Sequence, residues 1–332
     1  MKEIYFSKYK KYASKNKLLE KFLLTGGYKN LSWFIDRTRD IRVMSYDEAK
    51  TICMNNDNAF SNGGHSTLYK SSIPNTLIRI IPRKIADSQN DFYQSEIDVS
   101  SKLSNMAINN VNPHFPVTYY FLENPDGDAF QLIEKFDGDI VKVPVDALSE
   151  TGFFEQMLIG LYTLLLNDIV VGDVKRENIL YMNLESRVTL KYYIADKYYL
   201  LTTNVIYVFA DFGRARKFHD CRPSGLADER KECLKNISDL NSLACIHEGD
   251  HSFGFLNVGA IEKFLKIVGS ICGFDFNVSD DRFPIFFAER KEKYLSCIKK
   301  KLDDMSSHSK CFKIGHEIDP AIGSFMIKPK TI

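Results

Sequence analysis

One stretch of this sequence is apolar on nearly every side of the helix that it predicts. The run Phe153–Leu166 reads FFEQMLIGLYTLLL, and at 3.6 residues per turn its apolar side chains cover most of the circumference. Charges interrupt every apolar run before it reaches the length that a membrane span needs. The sequence therefore predicts a helix buried inside a domain, and 332 residues are enough to build a core around it.

Composition narrows the class of protein. Hydrophobic residues make up 44% of the chain, charged residues 26%, and the net charge is +1, which gives no bulk attraction to nucleic acid or to a membrane surface. The seven cysteines are odd in number, widely spaced and without a Cys-x-x-Cys pair. This pattern argues against a disulfide framework or a zinc site. We expect a cytoplasmic protein in a reducing compartment, with no direct nucleic-acid or membrane partner.

Residues 1–55 form the first predicted region. They are basic and carry helical periodicity, as in Lys15–Leu24, whose apolar residues fall on one helix face. We predict an extension that packs on the surface of the domain that follows, rather than a separate module.

Residues 56–136 alternate strands, a helix and further strands. The turn Ile73-Pro74-Asn75 separates two β runs, and Pro125-Asp126-Gly127 separates another two, so two hairpins are predicted. The helix between them spans residues 91–104. The predicted strands are Thr67–Tyr69, Leu77–Ile81, Val117–Leu122 and Ala129–Ile133. This region is predicted to be a small, β-rich α+β lobe.

Residues 137–332 are predicted to form a second lobe. Besides Phe153–Leu166, helical patterns cover Val258–Ile271 and Phe286–Leu302. The predicted fold class is therefore α+β, with a mostly helical second lobe.

The loop after the buried helix holds three groups that phosphoryl transfer requires. Asp173 offers a carboxylate that can accept the proton of an attacking hydroxyl, Lys175 a cation, and Asn178 an oxygen ligand for magnesium. The run Asp173–Asn178 resembles the His-Arg-Asp-Leu-Lys-x-x-Asn catalytic loop of eukaryotic-type protein kinases. The resemblance implies a bilobal kinase fold in which Asp173 is the catalytic base, Lys175 steadies the γ-phosphate and Asn178 binds a metal.

A second motif lies downstream. The predicted strand Val205–Ala210 runs into Asp211-Phe212-Gly213, which resembles the kinase Asp-Phe-Gly motif. By that resemblance Asp211 binds magnesium. The two motifs are farther apart than is usual in kinases, and the residues between them, Asn183–Thr203, are predicted to lengthen a hairpin. Kinases of large DNA viruses, such as the poxvirus type, resemble this arrangement, which would make the location a host cytoplasm or a virion.

The segment between the predicted lobes resembles a kinase hinge. It reads QLIEKFDGD from Gln131, and the resemblance makes Ile133 the gatekeeper. The backbones of Glu134 and Phe136 would then bind adenine. Farther along, Asp239 resembles the kinase Asp that supports the catalytic loop.

Two parts of the kinase pattern are altered. The glycine-rich loop aligns with Ser61–Lys70, where Gly63, Gly64 and the Ser66 amide are the candidates to approach phosphate. Arg79 stands where kinases carry a strand lysine, and Glu96 is its predicted helix partner. An arginine keeps the charge, but its planar fork differs from the point charge of lysine. Lys84 is a second, less well placed candidate.

The resemblance carries specific expectations about activity. It implies a serine/threonine kinase with ATP and Mg²⁺ as cofactors and a protein substrate, since Lys175 two residues after the base is the Ser/Thr-type feature. Gly172 replaces the Arg that in many kinases pairs with a phosphorylated activation loop, and no Ala-Pro-Glu occurs. We therefore predict activity without activation-loop phosphorylation.

Other functions remain open. A pseudokinase acting as a binding or scaffold module would explain Arg79 and the thin glycine loop. A small-molecule kinase of the aminoglycoside-phosphotransferase type shares Asp-x-x-x-x-Asn but resembles the chain less at Lys175. His247–His251 fits the zinc-protease pattern His-Glu-x-x-His, but Gly249-Asp250 is poor helix material, and a surface loop is predicted there.

Overall fold

Helices and strands alternate along the part of the chain that the structure describes. The structure is a computed structural model, and it describes residues 34–38, 40–55, 59–62, 67–82, 90–123, 127–171, 174, 176–212, 215–217 and 283–327. The helices are α1 (Tyr46–Met54), α2 (Asn90–Ile108), α3 (Val145–Glu150), α4 (Phe153–Leu166) and α5 (Phe283–Ser306), with 3₁₀ turns at Ile140–Lys142 and Arg176–Asn178.

Strands make up much of the remainder. They are β1 (Ala59–Asn62), β2 (Thr67–Lys70), β3 (Thr76–Ile81), β4 (Thr118–Leu122), β5 (Ala129–Glu134), β6 (Gly138–Asp139), β7 (Ile169–Val170), β8 (Ile179–Ile194), β9 (Lys197–Phe209), β10 (Arg216–Lys217), β11 (Phe312–Gly315) and β12 (Gly323–Ile327).

The first sheet is antiparallel with the order β1-β2-β3-β5-β4. Both predicted hairpins are confirmed, because β2 pairs with β3 and β4 pairs with β5. At the turn between β2 and β3, Asn75 adopts a φ of 60°, a left-handed conformation that asparagine tolerates better than most residues. The predicted helix over residues 91–104 is confirmed as the core of α2.

Helix α1 packs on one face of this sheet. Ser45 caps it by accepting a hydrogen bond from the Glu48 amide at 3.1 Å. Its buried residues Ala49 and Cys53 join a cluster with Ile78 and Leu132 of the sheet. Residues Tyr46–Met54 thus pack on the first sheet, whereas Lys15–Leu24 lies outside the described residues, so the predicted packing of the whole extension stays a prediction.

Helix α4 has the predicted bounds and is buried on nearly all sides. It contacts α5 and β9, and Gly160 allows a close approach of the chain: a Cβ built there would lie 2.6 Å from Cε2 of Phe209. The buried central helix that the sequence predicted is confirmed.

The second sheet has the order β11-β9-β8-β12, and β6 pairs with β8 beside it. Strands β8 and β9 form one long hairpin whose register runs from Ile179↔Phe209 to Ile194↔Lys197. Tyr192 and Tyr199 are fully buried in it. The predicted lengthening of this hairpin is confirmed.

The prediction of a mostly helical second lobe is not confirmed. In the described residues after Gly138, a long β8–β9 hairpin is present in addition to helices α3 to α5. The Tyr-rich residues of β8 and β9 pair with each other, and several of their rings are buried. The predicted helix Val258–Ile271 lies outside the described residues, and Phe286–Leu302 is confirmed within α5.

The structure bears on two expectations from the sequence, one about membrane-spanning helices and one about the cysteines. Among the helices that the structure describes, none is both long and apolar enough to span a bilayer. Cys53 and Cys311 are buried free thiols, but Cys297 of α5 is disulfide-bonded. The sequence argued against a disulfide framework and did not predict the bond at Cys297, since wide spacing along the sequence does not limit which thiols tertiary packing brings together.

Candidate active site

The two segments that the sequence singled out, around Asp173 and Asp211, are flanked by strands that pair. Strand β7, just before the Asp173 loop, pairs antiparallel with β10, just after the Asp211 motif, with Ile169 opposite Lys217 and Val170 opposite Arg216. Sequence reasoning predicted neither of these two-residue strands, which are too short to leave a periodic signal. The pairing brings the flanks of the two segments together.

Asn178 and Asp211 stand at the ends of neighbouring strands. The Ala210 amide donates to the Asn178 carbonyl at 2.8 Å, next to the Ile179↔Phe209 pair of β8 and β9. Asp211 is exposed and has a φ of 58°, a strained conformation for a residue other than glycine and one that clusters at functional sites. The residue that follows, Phe212, is 3% exposed and packs edge-on against Phe115 with ring centroids 6.5 Å apart.

The loop between β7 and β8 is fixed at several points. Val171 and Val174 are each 1% exposed and belong to the main core. Arg176 donates to the carbonyls of Ile140 and Val141 at 3.1 and 3.2 Å. Asp173 and Lys175 lie outside the described residues, so their predicted roles stay predictions.

Arg79 and Glu96 form an ion pair between β3 and α2. The same guanidinium nitrogen lies 3.2 Å from Oε1 of Gln131 on β5, and Glu96 is 7% exposed. The structure thus brings together the strand cation and the helix carboxylate that the sequence paired. Because both groups are largely removed from water, their attraction is stronger than that of a surface pair.

The predicted hinge runs from β5 through β6. The Lys135 amide donates to the Asn75 carbonyl at 2.9 Å and the Asp137 amide to the Tyr181 carbonyl at 3.0 Å. Asp137 also accepts from the Asn183 amide at 2.7 Å, and Phe136 is 6% exposed. These bonds fix the segment between the first sheet and β8 on both sides of Phe136.

The backbone amide and the side chain of Glu134 both form hydrogen bonds. The Glu134 amide donates to the Val117 carbonyl at 2.8 Å, and its carboxylate accepts from the Val117 amide at 2.9 Å. Of the two backbone groups that Glu134 could offer adenine, the amide is therefore already used.

The predicted phosphate-approaching residues Gly63, Gly64 and Ser66 lie outside the described residues. Their flanks are described: Asn62 of β1 pairs with Thr67 of β2. The strands on either side of these residues therefore pair with each other, and the predicted contacts of Gly63, Gly64 and Ser66 with phosphate stay predictions.

His114, to which the sequence assigned no role, is fully buried. Its Nδ1 lies 2.9 Å from the Tyr207 carbonyl and its Nε2 lies 2.9 Å from the Tyr192 hydroxyl. Its carbonyl accepts from the Phe209 amide at 3.1 Å. Burial lowers the pKa of His114 to about 3, so the ring is neutral and connects β9 to the loop before β4.

Arg37 was also missed. It is 4% exposed and donates to the Pro113 and Phe115 carbonyls at 2.9 and 3.1 Å. A third contact reaches the Glu134 carboxylate at 3.4 Å. Nothing in the basic composition of residues 1–55 marks this arginine as different from its neighbours, so only tertiary structure identifies it.

The donor set suits magnesium better than a transition metal. Within the described part of the chain no group of three His, Cys, Asp or Glu side chains could hold a metal. The amide of Asn178 and the carboxylate of Asp211 offer oxygen ligands, which Mg²⁺ prefers, and Mg²⁺ commonly takes its other ligands from phosphates and water. Asp239 and the His247–His251 segment lie outside the described residues.

No protein-family model matches the sequence, and no curated protein matches it either.

Proposed function

We propose that this chain is an ATP-dependent serine/threonine protein kinase. The observation that carries the proposal is the proximity of Asn178 and Asp211, whose strands are joined by the Ala210–Asn178 hydrogen bond. Two oxygen ligands on adjacent strand ends, one of them with a left-handed backbone, suit a magnesium ion that binds nucleotide phosphates.

The remaining groups of the proposed site come from the first sheet and the linker. Arg79, held by Glu96, is the cation proposed to contact phosphate, and the carbonyl of Glu134 and the backbone of Phe136 are proposed to bind adenine. Gly63, Gly64 and Ser66 are the proposed backbone contacts to the phosphates. When bound, Mg²⁺ would neutralise part of the phosphate charge.

Asp173 and Lys175 complete the proposal. Asp173 would orient the substrate hydroxyl and accept its proton, and Lys175 would stabilise the charge on the γ-phosphoryl group. A lysine two residues after the base favours serine and threonine over tyrosine as acceptors. The protein substrate is not specified by these residues.

The direct test is phosphoryl transfer from labelled ATP to a generic basic protein in the presence of Mg²⁺. Wild-type protein is expected to transfer label to serine and threonine, and Asp173→Ala is expected to abolish transfer. Asp196→Ala provides a matched control, because Asp196 is an exposed residue at the tip of the β8–β9 hairpin whose ion pair is with Lys299 of α5. Label on tyrosine alone would contradict the proposed acceptor class.

The same assay on phosphatase-treated protein tests the proposed independence from activation-loop phosphorylation. Activity is expected to survive the treatment, because Gly172 has no charged side chain to form an ion pair with a phosphorylated residue. A loss of activity that returns after incubation with ATP would contradict this part of the proposal.

A pseudokinase is the second candidate, and Arg79 favours it. The guanidinium already contacts Glu96 and Gln131, and a planar fork held in this way differs from a lysine that can follow a moving phosphate. If wild-type protein is stabilised by Mg-ATP in a thermal-shift titration but transfers no label, the protein is a pseudokinase that binds nucleotide and not a kinase.

A further inference from the structure

A segment before α1 is hydrogen-bonded to strand β4 of the first sheet. This N-terminal strap comprises residues 34–38 and 40–44, and β4 is an edge strand. The Tyr119 hydroxyl donates to the Arg37 carbonyl at 2.9 Å, and the Tyr120 hydroxyl accepts from the Met44 amide at 3.0 Å. Two tyrosine side chains of β4 therefore hold the backbone of the strap.

The strap also inserts a charge into the interior. The side chain of Arg37 is 3% exposed and that of its partner Glu134 is 0% exposed. The guanidinium lies 5.2 Å from the centroid of the Phe34 ring. A buried cation is tolerated only where hydrogen bonds and an opposite charge compensate for lost hydration, and Arg37 has two carbonyls and a carboxylate for this purpose.

Glu134 connects this pair to the proposed nucleotide site. It is the last residue of β5, and its carboxylate accepts from both Arg37 and the Val117 amide. The side chain at the end of β5 is therefore held by Arg37 as well as by the Val117 amide, and the position of the Glu134 backbone depends on both contacts.

We infer that Arg37 is a positioning residue for nucleotide binding and that the N-terminal strap is an integral part of the adenine site. This inference rests on the proposed function, because it needs the backbone beyond Glu134 to contact adenine. Arg37 acts through Glu134 and does not touch the nucleotide. Its loss would leave a buried carboxylate without its cation, and the end of β5 would shift or admit water.

The test is a comparison of Arg37→Ala with Arg42→Ala, using both binding and transfer. Arg42 lies in the same strap, but its side chain is 52% exposed and pairs with Glu48 at the surface. Binding is measured by titrating Mg-ADP against intrinsic fluorescence, and transfer by the dependence of rate on ATP concentration. For Arg37→Ala we expect the ADP Kd and the ATP KM to rise roughly tenfold or more, because small displacements of a binding group cost that much, with kcat within about threefold of wild type.

Two further variants keep the test decisive. Arg37→Lys keeps the positive charge but loses the planar guanidinium, so its ADP Kd is expected to lie between those of wild type and Arg37→Ala. If Arg37→Ala fails to fold, Arg37→Lys takes its place in the comparison with wild type. In Arg37→Met/Glu134→Gln no unpaired charge remains, so its Kd is expected to lie closer to wild type than that of Arg37→Met.

The outcomes separate the inference from the proposed function. If Arg37→Ala folds and its ADP Kd and ATP KM are unchanged, the proposed role of Arg37 is overturned, while the kinase proposal stays intact. The same conclusion follows from Arg37→Lys if that is the variant that folds. A tenfold change in Arg42→Ala as well would overturn the specific role of the buried pair. No nucleotide binding by wild-type protein would overturn both.

Discussion

The guanidinium of Arg79 on β3 and the carboxylate of Glu96 on α2 form an ion pair. A strand of the first sheet and the helix beside it are therefore joined by opposite charges that are largely buried. The kinase resemblance implies a lysine and a glutamate at these two positions. Because Arg79 differs from the implied lysine, substitutions of Arg79 are the most direct test of the proposed activity.

Replacing Arg79 is the first prediction. Arg79→Met is expected to lower kcat/KM by roughly 100-fold, because it removes a cation proposed to act on phosphate and leaves Glu96 without its partner. Arg79→Lys is expected to stay within about tenfold of wild type, since the charge persists. The measurement is labelled transfer over a range of ATP concentrations, with Arg42→Ala as the control. Equal loss in Arg79→Met and Arg79→Lys would show that geometry rather than charge is what matters.

The proposed metal ligands, Asp211 and Asn178, give the second prediction. Asp211→Asn is expected to reduce transfer by roughly 100-fold and to raise the Mg²⁺ concentration needed for half-maximal rate, because a neutral amide replaces an anionic ligand. Asn178→Ala is expected to act in the same direction. The rate is measured as a function of Mg²⁺ concentration at saturating ATP, and an unchanged Mg²⁺ requirement in both variants would contradict their role as ligands.

His114 gives a prediction for pH. Burial lowers the pKa of His114 to about 3, whereas an unfolded histidine has a pKa of about 6.5. Below that value the unfolded chain binds a proton that the folded chain does not, so stability is complete above about pH 6.5 and falls as the pH drops towards 3. By this linkage His114 alone lowers the free energy of unfolding by about 2 kcal/mol between pH 7 and pH 5.

The corresponding measurement compares wild type with His114→Gln. Urea unfolding at pH 7 and pH 5 is expected to show a smaller loss of stability in the variant, although the variant is less stable at pH 7 because its contacts with Tyr192 and Tyr207 change. Equal losses in the two proteins would mean that His114 takes up a proton in the folded state.

Gly160→Ala gives a prediction in which helix propensity and core packing change the stability in opposite directions. Helix propensity alone favours alanine over glycine by about 1 kcal/mol. A Cβ at Gly160, however, would lie 2.6 Å from Cε2 of Phe209, so Gly160→Ala is expected to destabilise the protein by about 1–3 kcal/mol through overpacking. Thermal unfolding measures the effect, and Gly160→Ala/Phe209→Leu should recover part of it. A stabilised Gly160→Ala would contradict the close packing of α4 on β9.

Local pattern was sufficient for much of the fold. The bounds of α4, both hairpins of the first sheet, the existence of α2 and the long β8–β9 hairpin follow from apolar periodicity and turn residues, because these signals act between residues close together in the sequence. The pairing of Arg79 with Glu96 was also predicted, but through a family resemblance rather than from periodicity. The predicted mostly helical second lobe is not confirmed in the described residues, where β11 and β12 join β8 and β9 in a sheet through long-range pairing that leaves no local signal.

What the sequence by itself determined is the set of local elements and the chemical types of the candidate residues, from Asp173 to Asp211. Only the tertiary structure decided which of those residues lie together, through the β7–β10 pair and the Ala210–Asn178 hydrogen bond. It also decided that Arg37 and His114 are buried and engaged. The physical reason is that burial and long-range pairing depend on how distant segments share one core, whereas helix and turn signals depend on neighbours along the chain.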